Sequence, residues 1–210
     1  DYNYDKRSQL KTVSLASAAI ESFGYDANGN RNDGEHSPGT FNRPQDDAEF
    51  TYQYDTTGNR TRRTAKVGGT YDVYAWDARG RLTSVTQRLE NTTLVWTVAY
   101  AYDHLNRLVG RTKTVAGQTP VSETLVYDGQ QVILRLEDNA LTNRYLWGPQ
   151  VDQLIAEEQV GSTEEILWTL GDHQQSVRDL VDFNPTTSAA TVVNYKSYSA
   201  YGEKTSSTSA

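Results

Sequence analysis

The chain has 210 residues, with 20 Lys and Arg against 27 Asp and Glu, a formal net charge of −7. That acidic balance works against wrapping nucleic acid or an anionic lipid surface, and the absence of cysteine excludes disulfides, thiolate metal sites and a cysteine nucleophile. Hydrophobic residues make up only 36%, yet there are 14 tyrosines and 4 tryptophans, which favours strands because aromatic side chains suit a pleated, half-buried surface. No segment has the apolar length of a membrane-spanning helix or the form of a signal peptide. Methionine is absent even at position 1, so the sequence reads as a piece of a longer protein.

In chain order, residues 1 to about 22 echo, in Tyr2-Asn3-Tyr4-Asp5, a phrase that then recurs. It is Tyr25-Asp26 followed by Gly29, Tyr54-Asp55 by Gly58, Trp76-Asp77 by Gly80 and Tyr102-Asp103 by Asn106, with a shortened version at Tyr127-Asp128-Gly129. The steps between aromatic residues are 29, 22, 26 and 25, so one structural unit spans close to 25 residues. Aromatics two apart, as in Tyr52/Tyr54, Tyr74/Trp76 and Tyr100/Tyr102, project from one face of a strand. The Asp that follows can accept a backbone N–H two residues on and nucleate a turn. Three residues after it comes Gly or Asn, which tolerate the left-handed conformation. The unit is therefore a hairpin with a short loop and a bulge at the Gly. On the return strand, simple alternation places Leu82, Ser84 and Thr86 on one side and Thr83, Val85 and Gln87 on the other.

Residues 32–48, polar and holding Gly34, Pro38, Gly39 and Pro44, read as a loop insertion that lengthens the first step. Regular repeats run from there to 142, making 1–142 a series of repeat hairpins. A lone hairpin is marginal in water, and hairpins stacked side by side bury a shared face. The expected fold is all-β, a twisted strip of antiparallel hairpins with an aromatic stripe on one face.

From 143 the phrases change to Tyr145-Leu146-Trp147-Gly148-Pro149, Asp172-His173 with Ser176 and Arg178, and Tyr198 with Tyr201-Gly202-Glu203. Strands are expected at 143–146, 153–157, 166–170, 176–182 and 192–199, and the Ser/Thr-rich end, 205–210, is expected to be disordered. Together the repeats and these ordered phrases, from about residue 20 to about 204, resemble the Rhs/YD-repeat family, whose unit is Tyr-x-Tyr-Asp-x-x-Gly-Arg-Leu. Residues 143–204 resemble the opening of that family's conserved core. The resemblance implies a β-solenoid strip that spirals into a hollow shell. In polymorphic toxins and toxin-complex C components such a shell encloses a C-terminal toxic domain, and in teneurins a related shell supports adhesion. It implies a secreted or cell-surface protein, partnered by neighbouring repeats of a longer chain and an enclosed effector domain. In two places the chain departs from the family pattern. Gln175 stands where the family has Gly in its Asp-His-x-Gly stretch, and the later Arg-x-Tyr-Tyr-Asp-Pro phrase is missing, so a fragment or short arc is expected and no self-cleaving activity is assigned.

Other constellations have simpler explanations. Asp172, His173 and Ser176 contain the residue types of a catalytic triad, but adjacent Asp and His on a strand face opposite ways, which spoils the relay. Asp26, Asn28, Asn30 and Asp33 look like the start of a calcium loop, but Arg31 and Ser37 stand where Gly and Glu are required. His36, His104 and His173 lack metal-ligand spacing. Arg60, Arg62, Arg63 and Lys66 read as a solvated or interstrand charge face, with Arg60 and Arg62 on one side. Asn59-Arg60-Thr61 and Asn91-Thr92-Thr93 are formal glycosylation sequons. The reading is a non-enzymatic structural module with no cofactor or metal. The alternative is a carbohydrate-binding or adhesion module using exposed Tyr and Trp. Bare strand edges would also permit self-association.

Overall fold

A computed structural model describes residues 1–16, 18–33, 37–161, 165–174 and 176–209. Gln175 and His36 lie outside the described residues, as does the expectation of strain at Gln175. The chain divides into two units, Asp1–Tyr100 with Lys113–Pro120, and Ala101–Thr112 with Val121–Ala210.

The first unit opens with an antiparallel sheet of β1 (Tyr2–Tyr4), β2 (Leu10–Leu15) and β3 (Ala18–Ser22). It continues with β4 (Ser37–Pro38), β5 (Pro44–Asp46), β6 (Phe50–Tyr54) and β7 (Arg60–Ala65). Next come β8 (Tyr71–Trp76), β9 (Leu82–Arg88) and β10 (Leu94–Tyr102), each pairing antiparallel with its predecessor. The strands β10 and β11 (Leu108–Val115) have residues in both units. The second unit holds β12 (Val121–Asp128), β13 (Gln131–Glu137), β14 (Ala140–Trp147) and β15 (Leu154–Gln159). It ends with β16 (Glu165–Gly171), β17 (Val177–Asn184), β18 (Ala189–Tyr198) and β19 (Lys204–Ser209), again paired in chain order. Among the described residues the one helical element is a single 3₁₀ turn at Thr40–Asn42, and no helix is long and apolar enough to cross a membrane.

Three expectations are corrected. The insertion at 32–48 carries the short strands β4 and β5. The end of the chain is a strand: β19 pairs with β18 from Lys204 opposite Tyr198 to Ser209 opposite Asn194. A Ser/Thr run reads as disorder from composition, but here its hydroxyls find partners, with Ser197 Oγ 2.8 Å from Thr205 Oγ1. The boundary drawn at 142/143 falls inside β14, so it separates kinds of motif and not structural elements.

The period-2 pattern governs the outgoing strands. In β6 the rings of Phe50, Tyr52 and Tyr54 are half-buried while Thr51 and Gln53 are exposed. On the return strands a bulge interrupts that alternation. Tyr54 pairs with Arg60 but Gln53 pairs with Arg62, leaving Thr61 as an extra residue. The same shift leaves out Thr83 in β9, Ile133 in β13, Ile155 in β15, Arg178 in β17 and Thr205 in β19. One extra residue inverts the facing of everything beyond it. Arg60 and Arg62 therefore lie on opposite faces, and Leu82 shares a face with Val85 and not with Ser84, which corrects the alternation read from sequence. In a sheet one layer thick, burial is partial: among the described residues no large side chain is fully buried, and the apolar residues below a tenth exposed are scattered, as with Val85, Ala156 and Val181.

The left-handed position three residues after the aspartate decides the turn. Gly80 holds φ +72 with open space where a side chain would start, and Asn106 occupies the equivalent site at φ 64. Gly80→Asn is expected to leave stability nearly unchanged, whereas Gly80→Val, β-branched at positive φ, is expected to cost about 1–2 kcal/mol. Chemical denaturation of both variants checks this; equal losses would remove φ as the cause.

Candidate functional site

The repeated aspartate closes its turn with both carboxylate oxygens. In the Asp55 turn the backbone N–H of Gly58 donates to the Asp55 carbonyl at 3.2 Å and the Asp55 N–H to the Asn59 carbonyl at 2.9 Å. This is a tight turn with a left-handed residue forming a bulge at Gly58, φ +99. Asp55 Oδ1 accepts the backbone N–H groups of Thr57 at 2.9 Å and Asn59 at 2.8 Å, and Oδ2 accepts Asn59 Nδ2 at 3.0 Å. The same pair of backbone donors, two and four residues on, reaches Asp5, Asp26, Asp77, Asp103 and Asp172. Oδ2 is taken by Asn30 on Asp26, by Arg81 on Asp77, by Arg107 on Asp103 and by Arg178 on Asp172. Two sites differ. Asp128 closes a two-residue turn onto Gln131, and it lacks the pair of backbone donors found at the other aspartates among the described residues. Ser199 stands in the aspartate position of a turn whose Gly202 holds φ +82, and its Oγ accepts the Glu203 N–H at 3.1 Å. Tyr201 in that turn is half-exposed.

Accepting several N–H donors favours the charged form of a carboxylate. The Thr57 hydroxyl first, then Asn59 and Gly58, hold Asp55 down at about 2 despite an opposing effect of burial. Asn30 lowers Asp26, and the Arg81 backbone and side chain lower Asp77. At Asp103 and Asp172 burial pushes upward, and the bonds from Arg107 and Arg178 carry the net shift below the ordinary value.

The ring just before the aspartate reaches back to the preceding hairpin. Tyr25 donates its hydroxyl to the Leu10 carbonyl at 2.8 Å, Tyr54 to Pro44 at 2.8 Å and Tyr127 to Leu108 at 2.7 Å. Trp76 Nε1 donates to the Arg60 carbonyl at 2.8 Å, Trp147 Nε1 to Val132 at 2.7 Å and Tyr198 to Val177 at 3.0 Å. Arg60, Leu108, Val132 and Val177 each stand where the return strand leaves its turn, and Arg60, Val132 and Val177 lie beside its bulge. On β16, which lacks such a ring, Thr169 Oγ1 takes the matching Leu154 carbonyl. Tyr and Trp suit this position because each carries a donor at the rim of an apolar body.

Arginine completes the link. Arg107 Nε bonds Asp103 at 2.7 Å while its guanidinium lies 4.7 Å from the centre of the Tyr127 ring in the next hairpin. Arg178 does the same between Asp172 and Tyr198, at 2.8 and 5.1 Å. In the basic cluster Arg60 covers Tyr52, Arg62 covers Tyr71 and Arg63 covers Phe50, at 4.2, 3.7 and 4.4 Å. Lys66 reaches Asp46 at 3.7 Å. The cluster is an interstrand covering of rings, as cation–π attraction predicts.

Sequence reasoning missed two polar clusters on the ring face. Asp72, 3% exposed, accepts Arg63 Nη2 at 2.6 Å and Gln87 Nε2 at 3.1 Å. In the second unit Glu123 is bonded by Arg111 and Arg135, Arg135 reaches Asn143, and Asn143 Nδ2 donates to Glu157 at 2.6 Å. Asn143 is 6% exposed. The available signal was spacing: Asp72 is two residues from Tyr74, and Asn143 two from Tyr145, so both had to share the ring face.

Of the remaining sequence candidates, His173 is exposed at the turn tip, while both Asp172 oxygens are occupied by backbone and Arg178, so the three triad residue types form no relay. Asp26 is likewise committed to Asn28 and Asn30. Gly148 opens the loop to Gln153, to whose carbonyl its N–H donates at 2.8 Å.

Antiparallel hairpins added in chain order, their turns mostly closed by an aspartate and many of them linked by a ring to the hairpin before, define a YD-repeat shell segment. The profile of the Teneurin YD-shell family matches residues 1–210, and the chain belongs to that family. No curated protein sequence matches it. Among solved structures it is similar to one described as the crystal structure of TcdB2-TccC3-Cdc42, with TM-score 0.55 and 15% identity over 94% of this chain and 13% of that one. Another, TcdB2-TccC3 without hypervariable C-terminal region, matches at TM-score 0.46 and 12% identity over 99% of this chain and 17% of that one. The chain thus spans less than a fifth of the length of these structures.

Removing the Tyr127 hydroxyl leaves the Leu108 carbonyl without its donor. Tyr127→Phe is expected to lower stability by about 1 kcal/mol, whereas Tyr145→Phe, whose hydroxyl has no hydrogen-bond partner among the described residues, should change little. Urea unfolding of the pair decides it.

Asp55 falls on folding from 3.8 to about 2. A carboxylate depressed in this way stabilises the fold above its unfolded value, and the contribution disappears as pH falls through the folded one. The thermal midpoint is therefore expected to drop between about pH 4 and pH 2, and less steeply in Asp55→Asn. Identical acid profiles would disprove the role of that carboxylate.

Proposed function

We propose that this chain is a stretch of wall in a YD-repeat shell that encloses or presents an effector domain of the same longer protein, outside the cell, with a structural and not a catalytic role. The observation that carries the reading is the link from ring to preceding hairpin, made in the second unit at Tyr127–Leu108, Trp147–Val132 and Tyr198–Val177. Such links commit the side chains that define the repeat to holding one hairpin on another. Membership of the YD-shell family supports the same reading, as does the likeness of fold to a structure containing TccC3. Within the proposal the outer side of β19, which has no second strand partner among the described residues, is an edge for pairing with another strand. A second reading, carbohydrate binding through Tyr and Trp, is supported where rings and charged groups line an open recess, around Tyr145 and Trp147.

The test is to purify the parent protein from its source and measure the intact mass of every polypeptide that travels with it. A cleaved C-terminal chain held without a covalent bond, and resistant to added protease until the shell is unfolded, is the expected result. A single chain whose C-terminal portion is digested as readily as a free domain would overturn enclosure. Sedimentation of the 210-residue chain at more than the monomer mass is expected if the β19 edge is available for pairing.

A further inference from the structure

The face of the second unit turned away from Tyr145 and Trp147 is apolar across five strands. The ladder sets Leu146 opposite Ala156, Ala156 opposite Trp168, Trp168 opposite Val181 and Val181 opposite Val192, one continuous row from β14 to β18. Side chains two apart on a strand share a face, so Ile166 and Phe183 flank that row on one side and Leu170 on the other. Tyr195, opposite Asp179, extends the second flank. Ala156 and Val181 are buried, whereas the large apolar residues around them are each between 39% and 53% exposed. We infer that this face is a two-fold interface with a second copy of the same chain, sheet against sheet.

The extent of the patch fits that occupant. Its seven half-exposed side chains leave roughly 600 Å² of apolar surface open, the upper end of what one patch on a monomer reaches. Two such faces covering each other would remove roughly 1,200 Å² from water, the lower end of a stable interface. With strands about 4.8 Å apart and a rise of about 3.4 Å per residue, the patch measures roughly 19 Å by 14 Å. A helix about 10 Å across covers part of that width, and a second sheet packed about 10 Å away covers all of it.

Two charges at opposite corners make the patch complementary to itself. Asp179 is half-buried between Leu170 and Tyr195, and its carboxylate has no hydrogen-bond or ion-pair partner among the described residues. An apolar partner laid over it would strip its water without replacing it. Arg144, two residues from Leu146 on the same face, bonds Glu158 through Nη1 at 2.7 Å. Its other guanidinium nitrogens have no partner among the described residues, and its side chain is half-exposed. Arg144 and Asp179 stand three strands and four ladder steps apart, about 14 Å in each direction. A two-fold axis that exchanges them therefore runs at about 45° to the strands and passes between Ala156 and Trp168, the middle of the apolar row. The two sheets then cross at about 90°, one of the two angles at which sheets pack. Arg144 of each copy meets Asp179 of the other, as two-fold symmetry requires.

The experiment is sedimentation equilibrium of the 210-residue chain over a concentration series. The samples are wild type, Leu170→Glu, Asp179→Arg, and the double variant Arg144→Asp with Asp179→Arg. The expected wild-type species is a dimer, weakened at least about a hundredfold by Leu170→Glu and by Asp179→Arg, since each change enters the interface twice. The double variant is expected to recover at least about tenfold of the loss, because it restores opposite charges at both corners. Melting temperatures below the dimer's dissociation range are expected to be unchanged. A monomeric wild type would overturn the inference. So would wild-type association in both single variants, which would assign the contact to the strand edge at β19. If Leu170→Glu does not fold, the charge exchange decides alone, and no recovery in the double variant overturns the inference. None of these outcomes bears on the mass of the parent protein, so the wall reading stands or falls separately.

Discussion

A hydrogen bond from a ring to the carbonyl at which the previous turn ends is the interaction on which the repeat depends. An isolated hairpin cannot bury enough surface to hold itself together, and a single-layer sheet leaves both faces within reach of water. Ladder bonds alone would join the strands without fixing which hairpin follows which. The ring resolves this by joining an apolar surface to a directed donor, and at Arg60, Val132 and Val177 it does so where the bulge beside the turn disturbs the ladder. The aspartate then has a second purpose. It orders the turn, and through Arg107 and Arg178 it also positions the cation that covers the next ring.

The motif was legible because its parts are local. Asp with Gly or Asn three residues on specifies the turn from chemistry within five residues, and aromatics two apart specify one face of a strand. The second bulge, on the return strand, was not legible. It adds a residue without a compositional mark, falling on Thr61, Thr83, Ile133, Ile155, Arg178 and Thr205 alike, and the alternation rule fails from that residue onward. The strand at 204–209 was hidden because Ser and Thr carry no burial signal until the opposing hydroxyls are placed. The cluster running from Arg111 through Glu123 and Arg135 to Glu157 spans strands β11 to β15, a grouping that only the register reveals.

The buried polar clusters temper the view that the ring face is simply a core. Burying Asp72 and Asn143 costs stability unless each is fully bonded, and each is bonded to more than one strand neighbour. An apolar pair would stabilise a sheet at many registers, whereas Arg63 opposite Asp72 is satisfied at one. The charges select the alignment, and the rings supply much of the adhesion.

The links also have a direction: each ring donates backwards, to a carbonyl already present in the earlier hairpin. A ribosome releases about 5–20 residues per second, so a repeat of about 25 residues emerges every few seconds, while a hairpin closes in about 1–10 μs. A hairpin that makes such a link therefore has its acceptor already synthesised, and seconds in which to reach it before the next emerges. Backward links favour assembly from the amino terminus onward, because the acceptor is always the earlier-made partner. A chain of any number of such units can be assembled during its own synthesis.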